Sequence, residues 1–118
     1  MLFICYEKCS TCRKAQAFLD EHHISYTIRP IKEENPTQAE LQTWQKISGL
    51  PLRKFFNTSG QKYRELGLKD KLSTMSEAEQ LSLLSSDGML VKRPILIGEN
   101  FVLVGFQSAQ WESQLQKS

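Results

Sequence analysis

A chain of 118 residues with 40% apolar and 24% charged side chains is expected to be one soluble domain, residues 1–118, with one core. Its net charge of +2 is too small to imply direct nucleic-acid binding, and no apolar run approaches the roughly 20 residues of a membrane span. Met1 leads straight into a strand-like run without a basic leader. With an odd set of three cysteines, this points to the cytoplasm and away from a secreted disulfide scaffold.

Leu2-Phe3-Ile4-Cys5 is short and apolar and reads as a buried strand. Residues 10–22 follow as a helix with Ala15, Phe18 and Leu19 on one face, and Ser10 or Thr11 is placed to cap its start. From Ile24 to Arg29, the apolar residues Ile24, Tyr26 and Ile28 alternate with polar ones, the pattern of a second strand. Strand, helix and strand within about 30 residues make a βαβ unit with parallel strands and a right-handed crossover.

The middle is different in kind. After Pro30 and Pro36, Thr37 and Glu40 have the spacing of a capping box, opening a helix through Leu41, Trp44 and Ile47 that stops at Gly49. Leu50 to Phe56 reads as a helical turn ended by Asn57-Thr58-Ser59-Gly60, and Tyr63, Leu66 and Leu68 mark another helical piece. Ser76 and Glu79 repeat the capping box ahead of Leu81, Leu83 and Leu84. No strand is expected between 37 and 86. The basic run Arg53, Lys54, Lys62, Arg64, Lys69 and Lys71 reads as a solvated face, with docking of an acidic partner as the alternative.

Strands return at Pro94–Ile97 and Phe101–Val104 around Gly98-Glu99-Asn100, a short hairpin connection, before a last helix from Ser108 with Ala109, Trp111 and Leu115 inward. The order βαβ, helical block, ββα is that of an α/β thioredoxin-like fold: a mixed four-stranded sheet with a helical insertion over about 35–90.

Cys9-Ser10-Thr11-Cys12 stands where the first strand hands over to the first helix. There the helix dipole and free N–H groups favour a thiolate, the nucleophilic form of cysteine. A second thiol one turn in is close enough to attack a mixed disulfide on the first. Arg13 adds positive charge to the same end. Three other readings of the spacing stand beside this one. Half a zinc site lacks a second CxxC, and the adjacent His22 and His23 could hardly both join the cysteines. Cys5-x3-Cys9-x2-Cys12 spells the pattern of radical iron–sulfur enzymes, whose barrels need roughly 200 residues. The pair could also be redox-inert. Cys5 belongs to the apolar strand and reads as a packed thiol. Glu7 and Lys8 could tune Cys9 with opposite sign. His22 and His23 read as a helix end, and Trp44 and Trp111 as core.

In Arg93-Pro94, the proline donates no ladder hydrogen bond at the start of a strand. In a thioredoxin-like fold, a cis proline at this place packs against the active cysteine, and Arg93 would lie beside Cys9, able to stabilise a thiolate or bind an oxyanion. The alternative is an edge-strand proline with a solvated arginine.

Cys9-x-x-Cys12-Arg13-Lys14-Ala15, Phe55-Phe56-Asn57-Thr58-Ser59-Gly60, Lys92-Arg93-Pro94-Ile95 and Val104-Gly105-Phe106, in this order over nearly the whole chain, resemble the glutaredoxin-linked arsenate reductase (ArsC)/Spx family. The resemblance implies a thioredoxin-like fold, a nucleophile at Cys9, and arginines at Arg13 and Arg93. Arsenate-reducing members carry two further arginines, which fall at Asn57 and Gly105 here. They also lack a thiol at Cys12 and have a histidine near Cys5. Losing two charge-assisted donors of about 1.5–3 kcal/mol each weakens arsenate binding.

The reading preferred on this basis is an arsenate reductase-like thiol-disulfide oxidoreductase with nucleophilic Cys9 and resolving Cys12. Arg13, Arg93 and Pro94 stabilise the thiolate or substrate. No metal or tightly bound cofactor is expected, and a low-molecular-weight thiol, thioredoxin or glutaredoxin serves as reductant. The alternative, closer to the CxxC and the Val-Gly-Phe ending, is an Spx-type redox-sensing transcription regulator that binds the RNA polymerase α subunit.

Overall fold

Alternation along the strands decides what fills each face of the sheet. In the computed structural model, which describes residues 1–117, β1 (Leu2–Cys5) is an inner strand of a sheet in the order β2-β1-β3-β4, with β2 spanning Thr27–Pro30, β3 Ile95–Ile97 and β4 Val102–Val104. β1 and β2 are parallel, as the βαβ unit requires, while β3 runs antiparallel to both β1 and β4; Ile4 sits opposite Arg29 on one side and Ile95 on the other.

Because successive side chains point to opposite faces, Phe3, Cys5, Leu96 and Leu103 share one core with Cys12, Ala15, Phe18 and Leu19 of α1 (Ser10–Glu21) and Trp111 of α6 (Ser108–Lys117). Ile4, Ile95 and Val102 enter a second core with residues of the helical block, among them Leu41, Phe55, Phe56, Leu84 and Val91. Trp111 anchors the first core. It is fully buried, Phe106 meets its ring edge-on at 5.0 Å, and its Nε1–H donates to the Gly105 carbonyl at 3.0 Å. Removing such a ring costs about 3–5 kcal/mol.

The block between β2 and β3 comprises α2 (Gln38–Ser48), α3 (Gln61–Glu65), α4 (Leu68–Lys71) and α5 (Glu77–Ser86), joined by short 3₁₀ turns. Both expected capping boxes form, Thr37 with Glu40 and Ser76 with Glu79, and Gly49 ends α2 in the left-handed conformation at φ 71°. Arg29 forks onto Glu40 (Nη2–Oε1 2.8 Å) and so ties β2 to α2. Phe56 and Val91 form a β-bridge, flanked by Asn57 N–H to the Leu90 carbonyl at 2.8 Å and Lys92 N–H to the Phe55 carbonyl at 2.7 Å. These bonds, which hydrophobic periodicity did not foreshadow, hold Asn57 beside Lys92 and Arg93.

Several expectations shift. The second strand begins at Thr27 rather than Ile24, because His22 ends α1 and His23 turns at φ 56°, leaving residues 24–26 as a connection. Its Ile28 is 49% exposed, on a strand that forms the edge of the sheet. Ile47 and Ala109 are exposed too: the faces that pack inward run through Leu41 and Trp44 in α2 and through Trp111 in α6. No helix among the described residues is long and apolar enough to cross a membrane.

Candidate active site at the start of the first helix

The loop Tyr6–Cys9 turns back so that the Cys9 N–H donates to the Tyr6 carbonyl at 3.0 Å, making Cys9 itself the N-cap of α1 (φ −93°, ψ 120°) in place of Ser10 or Thr11. That position puts its sulfur at the positive end of twelve aligned residues, half-exposed, with the Cys12 amide facing it. Burial raises the Cys9 pKa. The Cys12 amide and thiol and the Arg93 guanidinium outweigh that effect, and the pKa is lowered. Cys9 caps the helix without a closed side-chain hydrogen bond, so these groups act as oriented dipoles and charge.

Cys12, one turn on, is 3% exposed and accepts from the Tyr6 N–H at 3.4 Å. Burial is the main cause raising its pKa to about 12; the Cys9 and Cys5 sulfurs add to it and the Tyr6 amide opposes it. Cys5 is raised by burial and then by the Cys9 charge, and packs in the first core. All three cysteines are free thiols. The pair is therefore asymmetric, an accessible sulfur poised to ionise and a buried one that keeps its proton.

Arg93 precedes a cis peptide bond to the buried Pro94 at the start of β3. Its guanidinium lies over the Tyr6 ring at 5.0 Å, and its Nε and Nη1 are buried with no hydrogen-bond partner among the described residues. Two orphaned donors beside a sulfur form a cradle for an anionic group. Arg13 is exposed and its Nε donates to the Glu7 carbonyl at 3.1 Å, which braces the loop, while the Arg93 guanidinium is the cation that acts on the Cys9 sulfur. The Glu7 and Lys8 side chains are exposed, and neither is a leading cause of the shift at Cys9 or Cys12.

Cys9 and Arg93 open into a cavity of about 410 Å³ whose walls include Asn57, Lys92, Gly105 and Phe106. The two positions where the resemblance places further arginines thus do line the same site. A larger cavity of about 620 Å³ lies in the helical block, rimmed by Arg53, Lys54 and Lys69; it contains no thiol, and its cations are exposed as a solvated face would be. His22 sits at the far end of α1, stacked on Phe18 at 4.0 Å with Nδ1 donating to the Phe18 carbonyl. No group of three potential metal ligands occurs among the described residues. Tyr6 and Lys92 are site residues that sequence reasoning missed. The signal for Tyr6 was its place directly after β1, and for Lys92 its adjacency to Arg93.

A mixed four-stranded sheet, a CxxC pair capping the first helix and a cis proline opening the third strand define a thioredoxin-like protein with a helical insertion. Comparison with known proteins narrows this class. The chain belongs to the ArsC family, whose model matches residues 5–114. It is 53% identical over 112 residues to the uncharacterised protein YusI of Bacillus subtilis (strain 168), with 95% of each chain covered. It is 30% identical over 98 residues to the global transcriptional regulator Spx of Staphylococcus saprophyticus, covering 83% of this chain and 73% of that one. Among solved structures, an ArsC family related protein from Bacteroides fragilis superposes with a TM-score of 0.93 at 54% identity, covering 95% of this chain and 94% of the other. A possible arsenate reductase from Streptococcus mutans UA159 gives 0.87 at 47% identity, covering 96% of each.

Proposed function

We propose that this protein is a cytoplasmic thiol-disulfide oxidoreductase of the arsenate reductase-like type, with Cys9 as nucleophile and Cys12 as resolving thiol. The observation that carries the reading is the opposite tuning of two neighbouring sulfurs: Cys9 lowered and open to a cavity, Cys12 buried and raised to about 12. The Cys9 thiolate attacks a substrate disulfide, forming a mixed disulfide and releasing one substrate thiolate, with Arg93 holding the anionic charge that moves through the site. Part of what raises Cys12 is the Cys9 charge. Once Cys9 is bonded, that charge is gone and the Cys12 proton is more easily lost. Cys12 then attacks Cys9, closing Cys9–Cys12 and releasing the second thiolate. The substrate gains two electrons, which a low-molecular-weight thiol, thioredoxin or glutaredoxin restores to the pair. With Asn57 and Gly105 in place of two cations, arsenate is a poorer fit than a disulfide. Turnover of a disulfide or of arsenate with a coupled thiol system, lost in Cys9→Ser, is the test; full activity in that variant overturns the reading.

The likeness to Spx, together with the intact CxxC, supports a second reading in which the same pair is a switch for binding the RNA polymerase α subunit. Pull-down with the α C-terminal domain that depends on the redox state of Cys9 and Cys12 supports it; no binding in either state removes it.

A further inference from the structure

The space over Gly105 is taken by a cation from a neighbouring segment. Gly105 holds φ +77°, with its N–H on the Pro94 carbonyl at 2.8 Å and its carbonyl held by the Trp111 indole. A Cβ built there would lie 2.7 Å from Lys92 Cε, 3.7 Å from its Cδ and 3.8 Å from its Nζ. The lysine stem therefore runs across the glycine, and a side chain at 105 would compete with Lys92 for the same volume. The Lys92 backbone is fixed on the Phe55 carbonyl, so the stem starts from a defined point on the cavity wall. Its ammonium makes no ion pair or hydrogen bond among the described residues, and the cavity lining contains no carboxylate. Phe106 and Val104 give the same cavity an apolar side, and its size of about 410 Å³ suits a small molecule.

We propose that Lys92 is the specificity-determining cation of this site, and that it selects disulfides bearing a carboxylate close to the reacting sulfurs; this rests on the thiol-exchange reading above. Arg93, held over Tyr6, attends the sulfur and the charge that passes through it. Lys92, a point charge on a flexible stem, reaches a carboxylate set a few bonds further out, whereas a tetrahedral oxyanion is better matched by planar guanidinium forks. The step is the exchange already written, with Lys92 contacting the substrate's carboxylate and exchanging no proton or electron.

The test uses the reduced full-length protein and two chromogenic disulfides, 5,5′-dithiobis(2-nitrobenzoate) with two carboxylates and the neutral 4,4′-dithiodipyridine. The readout is the ratio of their single-turnover rate constants. Lys92→Gln is expected to lower the ratio of anionic to neutral rate by about 3–10-fold, and added salt to lower it in the wild type, as for a rim charge that steers encounter. Lys92→Arg is expected to keep the wild-type ratio within about twofold, since the charge is retained. A ratio unchanged in Lys92→Gln, or lowered as far in Lys92→Arg, overturns the assignment while leaving the exchange reading intact. A fast phase that survives in Cys9→Ser with both probes overturns the exchange reading itself.

Discussion

Replacing Arg93 with methionine tests the electrostatics of the nucleophile. Methionine keeps an apolar stem against Tyr6 and removes the guanidinium that helps hold the Cys9 pKa down. A charge-assisted hydrogen bond contributes about 1.5–3 kcal/mol. Cys9 is half-exposed and its contacts are not closed, so screening reduces this by about half, to roughly 0.7–1.5 kcal/mol. At about 1.4 kcal/mol per factor of ten, the thiolate is disfavoured about 3–10-fold and the Cys9 pKa rises. The sign follows directly: losing a cation disfavours the thiolate, so at neutral pH the reactive fraction falls about 3–10-fold. The assay is the rate of iodoacetamide alkylation against pH, with the modified residue identified by mass spectrometry, since the buried Cys5 and Cys12 titrate higher. The wild-type midpoint should lie below the ordinary thiol value of about 8.5. A midpoint that stays put or falls in Arg93→Met would refute the role given to Arg93.

Other consequences concern the scaffold. Arg29 holds the Glu40 carboxyl down at about 2, below its ordinary 4.5, so the pair contributes stability above the unfolded value and loses it as pH falls toward 2. Glu40 is 32% exposed, so the contribution is discounted to about 1–2 kcal/mol. Between about pH 5 and pH 2.5 the urea midpoint of the wild type should therefore fall more than that of Glu40→Gln, and parallel curves would contradict this. Gly88 is a packing glycine: a Cβ there would meet the Ile31 carbonyl oxygen at 2.1 Å. Gly88→Ala should cost about 2–3 kcal/mol in chemical denaturation, and a loss under about 0.5 kcal/mol would show that the two segments separate freely. In Gly105→Ala the left-handed φ and the Lys92 stem act together; a loss of about 1–2 kcal/mol is expected, and unchanged stability would deny that the position is constrained.

Much of the architecture was legible because it is written in local patterns. The apolar run of β1, the spacing of Cys9 and Cys12 at the handover to α1, the two capping boxes and the Gly49 stop depend on near neighbours, and each appears where expected. What escaped depends on long-range placement. Ile28 looks like a core residue until β2 proves to be an edge strand, and Ala109 until α6 turns its Trp111 face inward. The bond by which Arg13 reaches back to the Glu7 carbonyl depends on how the loop before α1 turns, which spacing alone does not give. The bridge from Phe56 to Val91 spans the helical block and helps bring Asn57 and Lys92 to the cavity. Lys92 across Gly105 is a contact between segments that no spacing announces.

The most direct test of the thiol pair is to map the sulfurs after one round of oxidation. Reduced protein is treated with one equivalent of a small disulfide, remaining thiols are blocked at low pH, and the chain is cut with trypsin after Lys8 and Arg13, which leaves Cys9 and Cys12 together in one short peptide and Cys5 in another. The account predicts that peptide 9–13 is recovered lighter by two hydrogens, with both substrate halves released and Cys5 blocked as a free thiol. Recovery of Cys9 still joined to the substrate half, or of a crosslink from peptide 9–13 to the Cys5 peptide, would contradict it.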